Sequence, residues 1–457
     1  MKTALNFNHG HSFEGSKMKR LIDAELLAWK DAKFRKPLLL RGARQVGKTY
    51  AAQQLGKQFQ SFVQVNLESQ PEARMIFEKD LDAKRIMRDL SLFATLPIIP
   101  GETLLFIDEI QITPNAVTAL RYFYEQIPQL HVIAAGSLLD FAIEQIGIPV
   151  GRVESLYMYP LSFTEFLLSM NLDVLVQEIL SHPAEEPIST PIHNKILSLL
   201  GEYIAIGGMP GVVECWIETK DPSRCFALHH ALIDTYRQDF VKYAKKHQIK
   251  YVDIVFNSIP QQLGRKFKYS SIEGDYRKRE LSPALDLLTT AGIAHKVTHS
   301  SGQGLPLGAT IDPQCYKVTF LDVALSQALL GLELEAWFLN PMQQFVNKGE
   351  LVEALIGQEL LASANPHSKS QLYYWQRNAP SSTAEVDYLV QVGEKIIPIE
   401  VKSGTGTTLR SLHAYLEGHS NAPVGVRLST QNYSQHDNIK SLPLYAISAL
   451  RALLKAV

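Results

Sequence analysis

The chain has 457 residues, 46% hydrophobic and 20% charged, with a formal net charge of -1, which suits a globular protein of roughly three domains. Near-neutral charge excludes a chain-wide field for nucleic acid or anionic lipid, so any such contact needs a local basic patch. Cys215, Cys225 and Cys315 lack metal-ligand spacing and argue against zinc, and with no apolar run near the ~18 residues of a membrane span the expected setting is cytoplasmic, without membrane contact.

Taken in chain order, residues 1–17 carry little apolar pattern and read as a mobile segment, within an N-terminal stretch of 1–30. From residue 36, short apolar runs alternate with helical patterns, the signature of a parallel sheet covered by helices. Strands are expected at 37–40, 62–67, 103–107, 131–135 and 155–159. After about residue 160 the pattern turns helical, interrupted by Pro183, Pro187 and Pro191, and predicts a helical lid over 166–250. Residues 251–335 read as winged-helix-like: short helices, a last helix at about 280–290, a strand at 293–297, and a Gly/Ser-rich loop at 300–308 that is either wing or linker. A helix at 351–362 and strands at 371–376, 385–391 and 395–402 form a further α/β unit within 336–457. The parallel-sheet core would then occupy 31–165.

Gly42, Ala43, Arg44, Gln45, Val46, Gly47, Lys48 and Thr49 match G-x-x-x-x-G-K-[ST] between an apolar strand and a helical pattern. Glycines let backbone N–H groups face phosphates, Lys48 balances the β- and γ-phosphate charge, and the Thr49 hydroxyl suits Mg²⁺. The run 104–107 then delivers Asp108 and Glu109 to a strand's C-terminal edge, where ligands of parallel sheets bind. Asp108 is expected to hold Mg²⁺ and Glu109 to polarise the attacking water. Ser137, after Gly136 on the next strand, is the candidate polar group between the carboxylates and the γ-phosphate, and Arg152 is the candidate arginine finger toward a neighbouring subunit, which implies a homo-oligomer.

These stretches, with residues 160–166 and 207–210, resemble the bacterial and archaeal AAA+-type ATPases that carry a C-terminal domain of unknown function, over about residues 21–447. The resemblance implies an α/β fold: a P-loop AAA+-type ATPase core with helical lid, a winged-helix-like middle and a C-terminal restriction-endonuclease-like α/β domain. It departs at Ala134, Ala135, Gly136 and Ser137, where the family often has a hydroxyl residue ahead of the glycine.

Two basic groups, Arg265, Lys266 and Lys268, and Arg277, Lys278 and Arg279, precede the last middle-region helix, the second directly before its start, with Tyr269 and Tyr276 among them. Several cations on one face are what phosphate neutralisation needs, so DNA is a candidate partner, although winged helices also bind proteins. In the C-terminal part, Glu385 and Asp387 share one side of a strand, and Glu400 and Lys402 one side of the next, resembling the PD-(D/E)XK nuclease core with Val386 in place of proline. Glu353 on the preceding helix is the candidate fourth carboxylate. The expected roles are Mg²⁺ binding by the four acids and water positioning by Lys402, with a binding module as the other reading. Two buried like charges here would need an added cation, so metal is expected to stabilise the cluster.

Overall fold

The computed structural model describes residues 18–147, 149, 151–332, 334–377, 384–403 and 409–450. The stretch 1–17 read as mobile lies outside them. The chain divides into two compact units, one of residues up to Tyr159 with Asn365–Lys369, the other of Pro160–Ala364 with the residues from Ser370 onward.

The first unit contains α1 (Ile22–Asp31), β1 (Leu38–Arg41), α2 (Lys48–Gly56), β2 (Ser61–Asn66), α3 (Pro71–Glu78), α4 (Ala83–Ala94), β3 (Thr103–Asp108), α5 (Pro114–Gln126), β4 (His131–Ala135), α6 (Leu139–Ile146) and β5 (Glu154–Tyr157). Its five strands lie in the order β2-β3-β4-β1-β5, and every pair is parallel. All residues of β3 and β4 are buried, as expected of central strands covered on both faces. On one face, Leu39, Val65, Leu105, Ile107 and Val132 meet Phe77, Leu90, Leu120 and Phe123 from α3, α4 and α5, each fully buried side chain contributing roughly 1.5–3 kcal/mol. Parallel strands joined through helices leave their C-terminal ends on one edge, so β1, β3 and β4 deliver their following residues together. Because β4 stands between β1 and β3, the residues after β4 fall between the loop after β1 and the carboxylates of β3.

A short return of the chain completes this unit. The Tyr157 N–H donates to the Pro366 carbonyl at 2.8 Å, and Lys369 reaches Asp140 at 3.4 Å.

The second unit begins with helices α7 (Phe163–Ser169), α8 (Asp173–Ser181), α9 (Thr190–Ile206), α10 (Pro210–Thr219), α11 (Pro222–Tyr243), α12 (Ile249–Ser258) and α13 (Lys278–Thr290). Then come β6 (Ala294–Ser300), β7 (Ile311–Phe320), α14 (Val323–Leu329), α15 (Ala336–Leu339), α16 (Pro341–Asn347) and α17 (Gly349–Ala362). It closes with β8 (Leu372–Gln376), β9 (Glu385–Val392), β10 (Lys395–Lys402), α18 (Arg410–Gly418), β11 (Gly425–Ser429), β12 (Ser434–His436) and β13 (Ile439–Pro443). Eight strands form one mixed sheet, β12-β13-β11-β10-β9-β8-β6-β7. The antiparallel β6–β7 hairpin joins β8 through a parallel pairing of Val297 with Leu372, so the sheet crosses the boundary expected at 335–336. The fold is thus α/β, a parallel-sheet core followed by a mixed-sheet unit.

Candidate functional site

The loop after β1 turns sharply because its residues permit it. Gly42 has φ +140°, and a Cβ there would strike the Met158 carbonyl oxygen; Gly47 has φ +98° and caps α2, conformations that L side chains rarely adopt. Lys48 is 7% exposed and its ammonium donates to the carbonyls of Gly42 and Ala43 at 2.9 and 2.7 Å. Burial lowers its pKa to about 8, with Glu109 and Asp108 pulling the other way, so the side chain stays largely cationic at neutral pH.

At the start of α2, the Thr49 hydroxyl donates to Asp108 Oδ2 at 3.0 Å. Burial pushes the Asp108 carboxyl up, and the Thr49 bond restrains it. Glu109 follows in left-handed backbone with φ +51°, its N–H bonded to Asp108 Oδ1 at 3.0 Å. Glu109 Oε2 accepts from Gln111 Nε2 at 2.6 Å and from the Ser137 hydroxyl at 3.4 Å. Gly136 leaves the space that Gln111 fills, since a Cβ there would collide with Gln111 Oε1. Lys48, Thr49, Asp108, Glu109 and Ser137 therefore converge on one sheet edge.

Arg152 is directed elsewhere. Its Nε donates to Glu125 Oε1 at 3.0 Å and its guanidinium lies 6.0 Å from the Tyr124 ring, on a side chain 46% exposed. Arg20, which sequence reasoning passed over, braces the phosphate loop by donating to the Val46 carbonyl at 2.8 Å and to the Tyr159 carbonyl at 2.8 Å. Nothing in its local sequence announces this, because both partners are backbone carbonyls distant in the chain.

In the second unit, Glu353 of α17 and Glu385 and Asp387 of β9 gather around a residue absent from the sequence expectation, Lys317 of β7. Lys317 Nζ lies 2.8 Å from Glu353 Oε1, 2.5 Å from Glu385 Oε1 and 3.8 Å from Asp387 Oδ1. Burial alone would lower this ammonium's pKa, but Glu353, Asp387 and Glu385 more than offset that and hold it raised. Asp387 Oδ2 accepts the Val401 N–H at 2.7 Å. On β10, Lys402 Nζ donates to Glu400 Oε1 at 2.6 Å, while Glu400 Oε2 is buried with no hydrogen-bond partner. Burial pushes the carboxyls of Glu353 and Glu400 up, and the charge of Asp387 adds to both. The four acids expected together lie on α17, β9 and β10, and the chain supplies two cations among them. Among the described residues, no group of three or more His, Cys, Asp or Glu is arranged to hold a metal ion.

The basic groups divide. All six are exposed, but Arg265 is paired with Glu350 at 2.9 Å and Lys266 Nζ lies 3.1 Å from Cys315 Sγ. No helix among the described residues is long and apolar enough to cross a membrane.

Residues 34–167 match the family model described as an AAA domain, residues 197–336 match a domain of unknown function (DUF8612), and residues 348–447 match another (DUF4143). No curated relative matches the chain by sequence. Similar solved structures include the Walker-type ATPase paby2304 of Pyrococcus abyssi, at 14% identity over 68% of this chain and 95% of that one, with a TM-score of 0.43. The RuvB Holliday junction branch migration motor of Thermotoga maritima is 13% identical over 68% of this chain and 94% of its own, with a TM-score of 0.30. The ORC1 protein of Aeropyrum pernix, in complex with DNA, is 13% identical over 69% of this chain and 94% of its own, with a TM-score of 0.29. With that family match and a parallel sheet ending in a phosphate loop, residues 34–167 are an AAA-type P-loop ATPase domain.

Proposed function

We propose that the chain binds ATP on the loop 42–49 and hydrolyses it, with Lys48 holding the β- and γ-phosphates and Glu109 accepting the proton of the attacking water. The observation that carries this reading is the meeting of Thr49 with Asp108 at 3.0 Å, beside the buried Lys48 ammonium and the Glu109–Ser137 contact. Thr49 and Asp108 offer two hard oxygens, the number of protein ligands that Mg²⁺ commonly takes when phosphates and waters complete its shell. When bound there, Mg²⁺ would neutralise charge developing on the phosphate oxygens. Ser137 would orient the γ-phosphate from β4, and Gln111 would hold the Glu109 carboxylate in place. Arg152 would act on a neighbouring subunit of a homo-oligomer, which requires its release from Glu125.

The nucleotide cycle would act on a DNA-linked second unit with helical lid (166–250), winged-helix-like (251–335) and restriction-endonuclease-like (336–457) parts, in the cytoplasm. The exposed Lys268, Arg277, Lys278 and Arg279 support DNA as the partner. For the C-terminal sheet we favour a binding module over a nuclease, because Lys317 already neutralises carboxylates that a catalytic metal would require.

The test is Mg²⁺-dependent ATP turnover by the full chain, with ATP binding measured in parallel. Lys48→Ala removes the loop's fixed cation and should abolish both. Undiminished nucleotide affinity in that variant would rule this site out.

A further inference from the structure

A restriction-endonuclease-like core carrying Glu353, Asp387, Glu400 and Lys402 implies a divalent metal, and the residues present do not fit one. Ca²⁺ and Mg²⁺ take carboxylate oxygens at about 2.0–2.6 Å, from donors that converge on a common point. Here the Oε1 atoms of Glu353 and Glu385 converge on an ammonium instead, at 2.8 and 2.5 Å, with Asp387 Oδ1 at 3.8 Å. Glu400 is taken up by Lys402 at 2.6 Å, and Asp387 Oδ2 by the Val401 N–H. Each of the four acids thus has a donor or cation from the chain itself on at least one oxygen, and the one carboxylate oxygen among them left buried without a partner, Glu400 Oε2, is a single donor and not a converging set.

We propose that the Lys317 ammonium is the resident cation of this cluster, standing in for the divalent ion of a nuclease-like core, so that the C-terminal site is closed without metal. The position is built for it. Lys317 sits on the sheet's end strand, opposite Val297 of β6, and β6 and β8 separate its strand from β9. Its side chain is 3% exposed, with the Tyr374 ring 5.3 Å from Nζ. The lysine stem meets the Glu353 and Glu385 side chains end to end, and its ammonium donates up to three hydrogen bonds with no need of further ligands. A divalent ion entering the same oxygens would meet a fixed like charge that has no solvent-exposed place to withdraw to. The cation also ties β7, α17 and β9 together, in a cluster where removing one partner leaves uncompensated buried charge. Without metal the cluster cannot activate water by the two-oxygen clamp that phosphodiester cleavage uses.

The experiment titrates nucleotide-free full-length protein with Mn²⁺, following free Mn²⁺ by electron paramagnetic resonance and the melting midpoint in parallel, for the wild type and for Asp387→Asn. The expected result is that Asp387→Asn changes neither the Mn²⁺ bound nor the Mn²⁺-induced shift in melting. Any ion bound equally by both proteins belongs to Thr49 and Asp108. One Mn²⁺ per chain that Asp387→Asn removes would overturn the proposal. As a second arm, Lys317→Met keeps the stem and deletes the charge. It should melt lower than wild type without metal and recover several degrees on adding Mn²⁺. A folded Lys317→Met protein whose melting equals wild type would overturn it as well; if that variant does not fold, the wild-type and Asp387→Asn titrations decide alone. Lys48→Ala behaviour leaves this test untouched, because no nucleotide is present.

Discussion

Replacing Glu109 by Gln separates binding from chemistry at the phosphate loop. The amide keeps a side-chain oxygen to accept from Gln111, now 2.6 Å away, and from Ser137, now 3.4 Å away, so the site keeps its shape. What it loses is a group able to take a proton from water. General bases contribute about 10²–10⁴-fold, which at 1.36 kcal/mol per decade is roughly 3–5 kcal/mol of barrier. Single-turnover hydrolysis of radiolabelled ATP should slow by that range, while equilibrium ATP binding stays within about twofold of wild type. Gln111→Ala provides an internal scale: it deletes one hydrogen bond to the Glu109 carboxylate, worth about 1.5–3 kcal/mol for a charged acceptor, and should slow turnover by about 10–150-fold. Turnover in Glu109→Gln within threefold of wild type would refute the base assignment, and a Gln111→Ala defect larger than that of Glu109→Gln would refute the positioning argument.

The triple replacement Arg277→Ala, Lys278→Ala and Arg279→Ala should weaken DNA binding and flatten its log–log salt dependence by about 2.7, from roughly 0.9 per lost phosphate contact; an unchanged slope, measured by fluorescence anisotropy, would move DNA elsewhere. His229 bonds the Ile206 carbonyl through Nε2 at 2.8 Å, leaves Nδ1 buried without a partner, and is depressed by burial to about 4. Its folded pKa lies below the unfolded ~6.5, so the unfolded chain takes the proton first and stability falls as pH drops from about 6.5 toward 4, by an amount of order 2–3 kcal/mol. Thermal melts of wild type and His229→Gln across that range should converge at low pH; parallel curves would contradict this.

The phosphate loop and the Asp108–Glu109 strand end were legible because their signals are contiguous: a glycine-bearing turn after an apolar run, and a fully buried strand closing in acids. The strands expected at 37–40, 62–67, 103–107, 131–135 and 155–159 match β1 to β5 to within two residues at each end, since apolar runs of central parallel strands stand out from their surroundings. Strand β7 carries no such run at its start. Its first residues, Ile311, Asp312, Pro313 and Gln314, are exposed and mix apolar with polar types, so no apolar run marks the strand or shows Lys317 as buried. β11 and β13 are short and carry buried polar residues such as Arg427 and Ser441, which breaks the apolar run that reading depends on. Arg20 works through backbone carbonyls 26 and 139 residues away, contacts that depend on tertiary placement, whereas Gln111 bonds Glu109 two residues before it in a turn that no motif marks.

The five residues Asn365–Lys369 make the first compact unit discontinuous in the gene. A fragment ending at residue 159 carries the whole phosphate loop and still lacks the carbonyl that Tyr157 binds and the lysine that reaches Asp140. Asp140 is also the partner of Arg41, the residue immediately before Gly42, at 2.8 Å. Fragment expression, domain swaps and fusion boundaries placed at 159–160 would therefore sever a neighbour of the nucleotide loop that no inspection of the first 159 residues reveals.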